Sequence, residues 1–192
     1  LQGKYWRIYL EKEFYDLLSN IKEGKLIGEI ATSNTRLESC VTDGIIPHLD
    51  EICKEIQKAH VGKYLEELIE TLLKKISNVK NVERKSGSSD KGGDLICVYD
   101  TGMTDIFGIE KYEKCAIQVK SYEGTIDVET AIKDLERVFE YDPQITCGII
   151  MTTALKTSER FESALDGLIE KTGKDISIIY GKDLAKWIIK YS

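Results

Sequence analysis

A chain of 192 residues with 27 Lys and Arg against 33 Asp and Glu, a net charge of −6, is long enough for one well-buried core and a small appendage, and its charge excludes a surface that is basic throughout. Five cysteines with no CxxC spacing, and two histidines remote from any cysteine pair, argue against a disulfide framework and a structural zinc site. No apolar run reaches membrane-spanning length and no signal peptide is recognisable, so a reducing cytosol is the expected compartment.

In chain order, Tyr5, Ile8, Tyr9, Phe14, Leu17, Leu18 and Ile21 recur at helical spacing and Gly24 offers a stop. Thr32-Ser33-Asn34-Thr35 reads as a turn or helix start, and Ile45-Ile46-Pro47 opens a further helix through about Lys58. The opening Leu1-Gln2-Gly3 lacks an initiator methionine and reads as a fragment that another domain precedes. Residues 1–59 are therefore expected to be a helical segment or subdomain serving connection or recognition, and residues 60–192 the main domain.

The pattern changes at Gly62. Leu65, Leu68, Ile69, Leu72, Leu73 and Ile76 form a helical stripe, after which Val79 to Glu83, Asp94 to Tyr99, Lys114 to Lys120 and Gln144 to Thr152 read as strands. Ile126 to Glu140 is expected as a helical crossover ending before Pro143. Thr157 to Lys171 is another, closed by Gly173, followed by a short strand from Ile176 to Tyr180 and a last helix from Leu184 to Tyr191. Neighbouring strands followed by alternating crossovers imply an α/β fold, a mixed central sheet flanked by helices on both faces.

The chemistry lies in two of these strands. In Ala116-Ile117-Gln118-Val119-Lys120 the period of two points Gln118 and Lys120 to one face, where Asp94 on a neighbouring strand can meet them. Glycines before Asp94, at Gly92 and Gly93, let the backbone bend and leave room for a phosphate. Hydrolysing a phosphodiester needs an activated water and neutralisation of charge on the phosphoryl oxygens, which a hard divalent cation supplies. Mg²⁺ typically takes one or two carboxylates and keeps several waters, so Asp94 is the first ligand, with Mn²⁺ as a substitute cation. Lys120 is the cation beside the attacking water or the scissile phosphate. Gln118 completes a coordination shell without adding charge, so a second carboxylate must come from elsewhere. Glu66 and Glu67 on the helix after Gly62 both offer one, and Glu66, beside the apolar stripe, is favoured.

Taken together, Gly62-x-x-Leu65-Glu66-x-Leu68, Asp90-x-Gly92-x-Asp94-Leu95-Ile96, Ile117-Gln118-Val119-Lys120, Gly148-Ile149-Ile150-Met151-Thr152-Thr153 and Ile178-Ile179-Tyr180-Gly181-x-x-Leu184 resemble the Mrr-like restriction endonuclease family of the PD-(D/E)xK nuclease superfamily. The resemblance runs from about Gly62 to Tyr191 and implies a catalytic set of Glu66, Asp94, Gln118 and Lys120. It also implies DNA cleavage with Mg²⁺, in restriction or defence against foreign DNA inside a prokaryotic cell. Lys91 stands where that family usually has a glycine.

Around this set the basic bias from Lys74 to Lys91 makes Lys85 and Lys91 candidate phosphate-backbone contacts, and Ser121 lies just past the lysine. Thr152 and Thr153 either contact a phosphate or cap the following helix. A symmetric homodimer would place one site on each DNA strand. Two other readings stay open: a structure-selective nuclease of the Holliday-junction type, and a nucleic-acid-binding or regulatory module without turnover, which neutral Gln118 and the acidic net charge would suit.

Overall fold

The computed structural model describes residues 48–85, 94–127 and 129–192. The helix expected over 5–21, the turn at 32–35, and the glycines and Lys91 ahead of Asp94 lie outside these residues.

Helix α1 (Leu49–Ala59) buries Leu49, Ile52, Cys53 and Ile56, an i, i+3, i+4, i+7 stripe, and α2 (Lys63–Leu73) buries Leu65, Leu68, Ile69, Leu72 and Leu73. Between them Gly62 takes φ 56°, a left-handed conformation that a residue with a Cβ adopts only under strain. Strands β1 (Val79–Arg84), β2 (Leu95–Thr104) and β3 (Glu110–Lys120) follow, then the two-residue β4 (Thr125–Ile126) and helix α3 (Thr130–Tyr141). Strand β5 (Cys147–Thr152), the short β6 (Lys156–Thr157), helix α4 (Glu159–Thr172), strand β7 (Asp175–Tyr180) and helix α5 (Gly181–Tyr191) complete the order. Ser158 caps α4, its Oγ accepting from the Phe161 amide, and Gly173 ends that helix at φ 64°.

The five-stranded sheet has the order β1-β2-β3-β5-β7. β1, β2 and β3 pair antiparallel, whereas β3, β5 and β7 run parallel, as the expected α/β mixed sheet requires. Lys120 lies opposite Thr152 and Thr152 opposite Tyr180, so the three parallel strands end at one edge. The start of β2 reaches the same edge, where the Asp94 amide donates to the Ile117 carbonyl. The carboxyl edge of a parallel sheet is where open α/β folds carry their sites.

Each face of the sheet has its own core. Leu95, Cys97, Cys115, Ile117, Val119 and Met151 pack against α1, α2 and α5. Ile96, Ala116 and Ile150 pack against α3 and α4. The four cysteines among the described residues, Cys53, Cys97, Cys115 and Cys147, are free thiols. No helix among those residues is long and apolar enough to cross a membrane.

Two features depart from the sequence pattern. β2 and β3 run well past the expected strands into a long hairpin, because Asp105 organises its tip, Oδ1 accepting from the Phe107 and Ile109 amides. β4 and β6 form a small parallel sheet of their own that pins the start of α3 to that of α4.

Helix α1 is tied to the site edge by one side chain. Gln57 Nε2 donates to the Thr153 carbonyl at 2.6 Å and to the Tyr122 carbonyl at 3.2 Å, joining the segments that follow β5 and β3. Gln57→Leu keeps the volume and removes the donor to the partly buried Thr153 carbonyl, while the Tyr122 carbonyl keeps the Thr153 hydroxyl, so it is expected to lower stability by about 1–3 kcal/mol, read as a fall in the urea midpoint with little change in slope.

Candidate active site

The pleat of β3 separates two kinds of residue. Cys115, Ile117 and Val119 enter the core under α1, α2 and α5, while Ala116, Gln118 and Lys120 point toward α3. Gln118 is 1% exposed, a carboxamide that only its polar partners make tolerable. Its Nε2 donates to Asp94 Oδ2 at 2.6 Å, and the same oxygen accepts from the Val119 amide at 2.6 Å. Asp94 thus sits at the bend before β2 with its carboxylate laid across the end of β3. Its main chain is also held on both sides, by its own amide to Ile117 O and by the Lys85 amide to its carbonyl.

Burial pushes the Asp94 carboxyl above the usual range. The Val119 amide and the Lys120 charge oppose this, while Glu66 and Asp134 add repulsion. The position of Glu66 follows from how α2 docks. Arg84 on β1 takes Glu67 Oε1 at 3.3 Å and Glu70 Oε2 at 2.7 Å, which turns those two acids toward the outer strand. Glu66, one residue earlier, projects near enough to Asp94 to act on its charge. Lys120 Nζ is 3.0 Å from Asp134 Oδ2, an aspartate on α3 that sequence reading passed over.

The remaining candidates divide. Lys85 follows β1 beside Asp94, with its ammonium half exposed and 3.8 Å from Glu83. Ser121 Oγ accepts from the Gly62 amide at 2.7 Å and so braces the start of α2. Thr152 is fully buried, its Oγ1 accepting from the Ala154 amide, and Thr153 Oγ1 bonds both the amide and the carbonyl of Tyr122 at 2.9 Å. Both threonine hydroxyls are thus engaged with backbone, that of Thr152 within the segment after β5 and that of Thr153 across to the segment after β3. Lys91 lies outside the described residues.

Among the described residues no group of three or more His, Cys, Asp or Glu side chains is placed to hold a metal ion. The donor set nonetheless fits a hard cation that keeps most of its waters: Asp94 has both hydrogen bonds on Oδ2, leaving Oδ1 to neither, and Glu66 adds charge nearby. A half-buried carboxylate under repulsion from two other acids is a place where a divalent cation would relieve an electrostatic cost.

With this geometry in view, the comparisons with known proteins converge on one fold. A family model of the Mrr catalytic type, described as restriction endonuclease, matches residues 58–188, a span that starts just after Gln57 and takes in Glu66, Asp94, Gln118 and Lys120. The structure is similar to that of the MspJI restriction endonuclease in complex with a 27-mer oligonucleotide, with a TM-score of 0.50 and 16% sequence identity. That similarity covers 87% of this chain and 36% of the MspJI chain. No curated protein matches the sequence.

The raised carboxyl has a consequence for the metal-free fold. The native state holds the Asp94 proton more tightly than the unfolded chain does, so ionisation costs stability as pH rises from about 3.9 through the native value. Asp94→Asn leaves an oxygen for both donors and removes the charge. Its metal-free Tm near neutral pH is expected to exceed that of wild type, by on the order of 2–4 °C for each kcal/mol gained. Thermal melts across pH check this, and the gap should close toward about pH 4.

Proposed function

The chain belongs to the Mrr-type restriction endonuclease family, and from that premise we propose that it is a Mg²⁺-dependent endonuclease hydrolysing phosphodiester bonds in DNA. The observation that carries this reading is the Asp94 carboxylate, half-buried, under repulsion from Glu66 and Asp134, and set beside the Lys120 ammonium at the carboxyl edge of the sheet.

Asp94 and Glu66 would hold the cation, and Gln118, whose Nε2 donates to Asp94, would act chiefly by orienting that carboxylate, its amide oxygen being the one atom of the group that suits a hard cation. When bound, the cation supplies Lewis-acid neutralisation of the phosphoryl oxygens and activation of water. Gln118 and the Val119 amide fix the rotamer of Asp94 before substrate arrives, so the carboxylate needs no reorganisation during reaction. Lys120 presents a positive charge on the same face, to stabilise negative charge as it gathers on the phosphoryl group. Lys85, whose amide bonds the Asp94 carbonyl, carries a half-exposed ammonium suited to a flanking phosphate. A homodimer cutting both strands, with a role in restriction or defence against foreign DNA, is the setting we propose for this chemistry.

The test is cleavage of supercoiled plasmid, methylated and unmethylated, with Mg²⁺, Mn²⁺ or EDTA. Wild type is expected to nick or linearise it only with a divalent cation, and Lys120→Ala to lose at least about 100-fold in rate, the scale of removing one preorganised charge stabiliser. Cleavage of a four-way junction in preference to linear duplex would replace this reading with the structure-selective one. Cleavage of neither DNA, with no Mg²⁺ or Mn²⁺ heat that depends on Asp94, would replace it with the binding module.

A further inference from the structure

Asp134 lies on α3 between Ala131 and Leu135, both fully buried, so the helix carries an acid on the flank that meets the sheet. Its side chain is only 17% exposed, and a carboxylate so placed is costly without a counter-charge. Lys120, its side chain 25% exposed, places Nζ 3.0 Å from Asp134 Oδ2, and Arg137 Nη1, one turn along the helix, stands 3.6 Å from the other oxygen. The pair therefore bridges α3 and the last residue of β3, and the lysine it holds is the one that faces Asp94 and Gln118.

We propose that Asp134 is a positioning residue that holds the Lys120 ammonium in place for phosphodiester cleavage; the inference rests on the nuclease reading above. A lysine side chain has four rotatable bonds, and ordering it costs about 1.5–2 kcal/mol of rotamer freedom. Asp134 meets that cost before substrate binds. An ammonium has three donors, and one goes to Asp134 at 3.0 Å, which leaves two for the scissile phosphate and its water. A strut that merely tied α3 to the sheet would stabilise the fold without altering the chemical step; a positioning residue acts on that step through Lys120.

The experiment compares wild type, Lys120→Ala, Asp134→Asn and Asp134→Glu in steady-state cleavage of duplex DNA with Mg²⁺, and titrates Mg²⁺ into each by calorimetry. Asp134→Asn is expected to lower kcat by about 10-fold to 100-fold with KM changed less than about threefold, the scale of a misplaced group. Its Mg²⁺ affinity should stay within about threefold of wild type, and Asp134→Glu, which restores a carboxylate one methylene longer, should recover much of the loss. Asp134→Ser gives the same readings if Asp134→Asn does not fold. A wild-type kcat in Asp134→Asn overturns the inference, and so does a loss of Mg²⁺ affinity matching the loss in rate, which would make Asp134 a cation ligand. Should wild type itself fail to cleave with metal, the nuclease reading falls first. Wild-type cleavage lost in Lys120→Ala leaves that reading standing and lets Asp134 alone decide the inference.

Discussion

One half-buried carboxylate organises the site edge of this molecule. Asp94 is held at the bend before β2 by its own amide, by the amide of Lys85, and by two donors on β3 that converge on a single carboxylate oxygen. Those bonds compensate only part of what burial costs, since its carboxyl remains above the usual range. On the proposed nuclease reading, the uncompensated part is what a divalent cation would relieve: a fully satisfied Asp94 would stabilise the fold more and attract metal less.

The rest of the architecture keeps that carboxylate where it is. Two separate cores clamp the sheet from its two faces, and the register of β3, β5 and β7 brings Lys120, Thr152 and Tyr180 to one edge. At that edge the connecting segments are joined by short polar contacts: Gln57 to Tyr122 and Thr153, Thr153 to Tyr122, Ser121 to Gly62. Arg84 sorts the acids of α2, drawing Glu67 and Glu70 outward and leaving Glu66 near Asp94. Helix α1, most of which precedes the span matched by the family model, shares the core of the domain through Leu49, Ile52, Cys53 and Ile56.

Much of this was legible in the residues, and for identifiable reasons. The alternation of Ile117, Gln118, Val119 and Lys120 puts two polar groups on one face whatever surrounds them, and the stripe from Leu65 to Leu73 can only be a helix laid on a core. Asp134 was not legible, because a polar residue on an amphipathic helix looks the same whether it meets water or a lysine from another strand. The hairpin beyond Tyr99 was hidden for a different reason: glycine and aspartate are poor strand formers, and Gly102, Asp105 and Gly108 interrupt the pattern there, although Asp105 is the residue that closes its turn. Thr152 and Thr153 were equally consistent with a phosphate contact and with a cap on the following helix, and in the structure Ser158 supplies that cap while the two hydroxyls bond Ala154 and Tyr122.

The most direct measurement is the anomalous difference map of a crystal soaked in Mn²⁺. A peak within coordination distance of Asp94, with Glu66 on its other side and Lys120 Nζ outside its shell, is the result this account predicts. A map without a peak at Asp94, from crystals of protein that cleaves DNA with Mn²⁺ in solution, would contradict it.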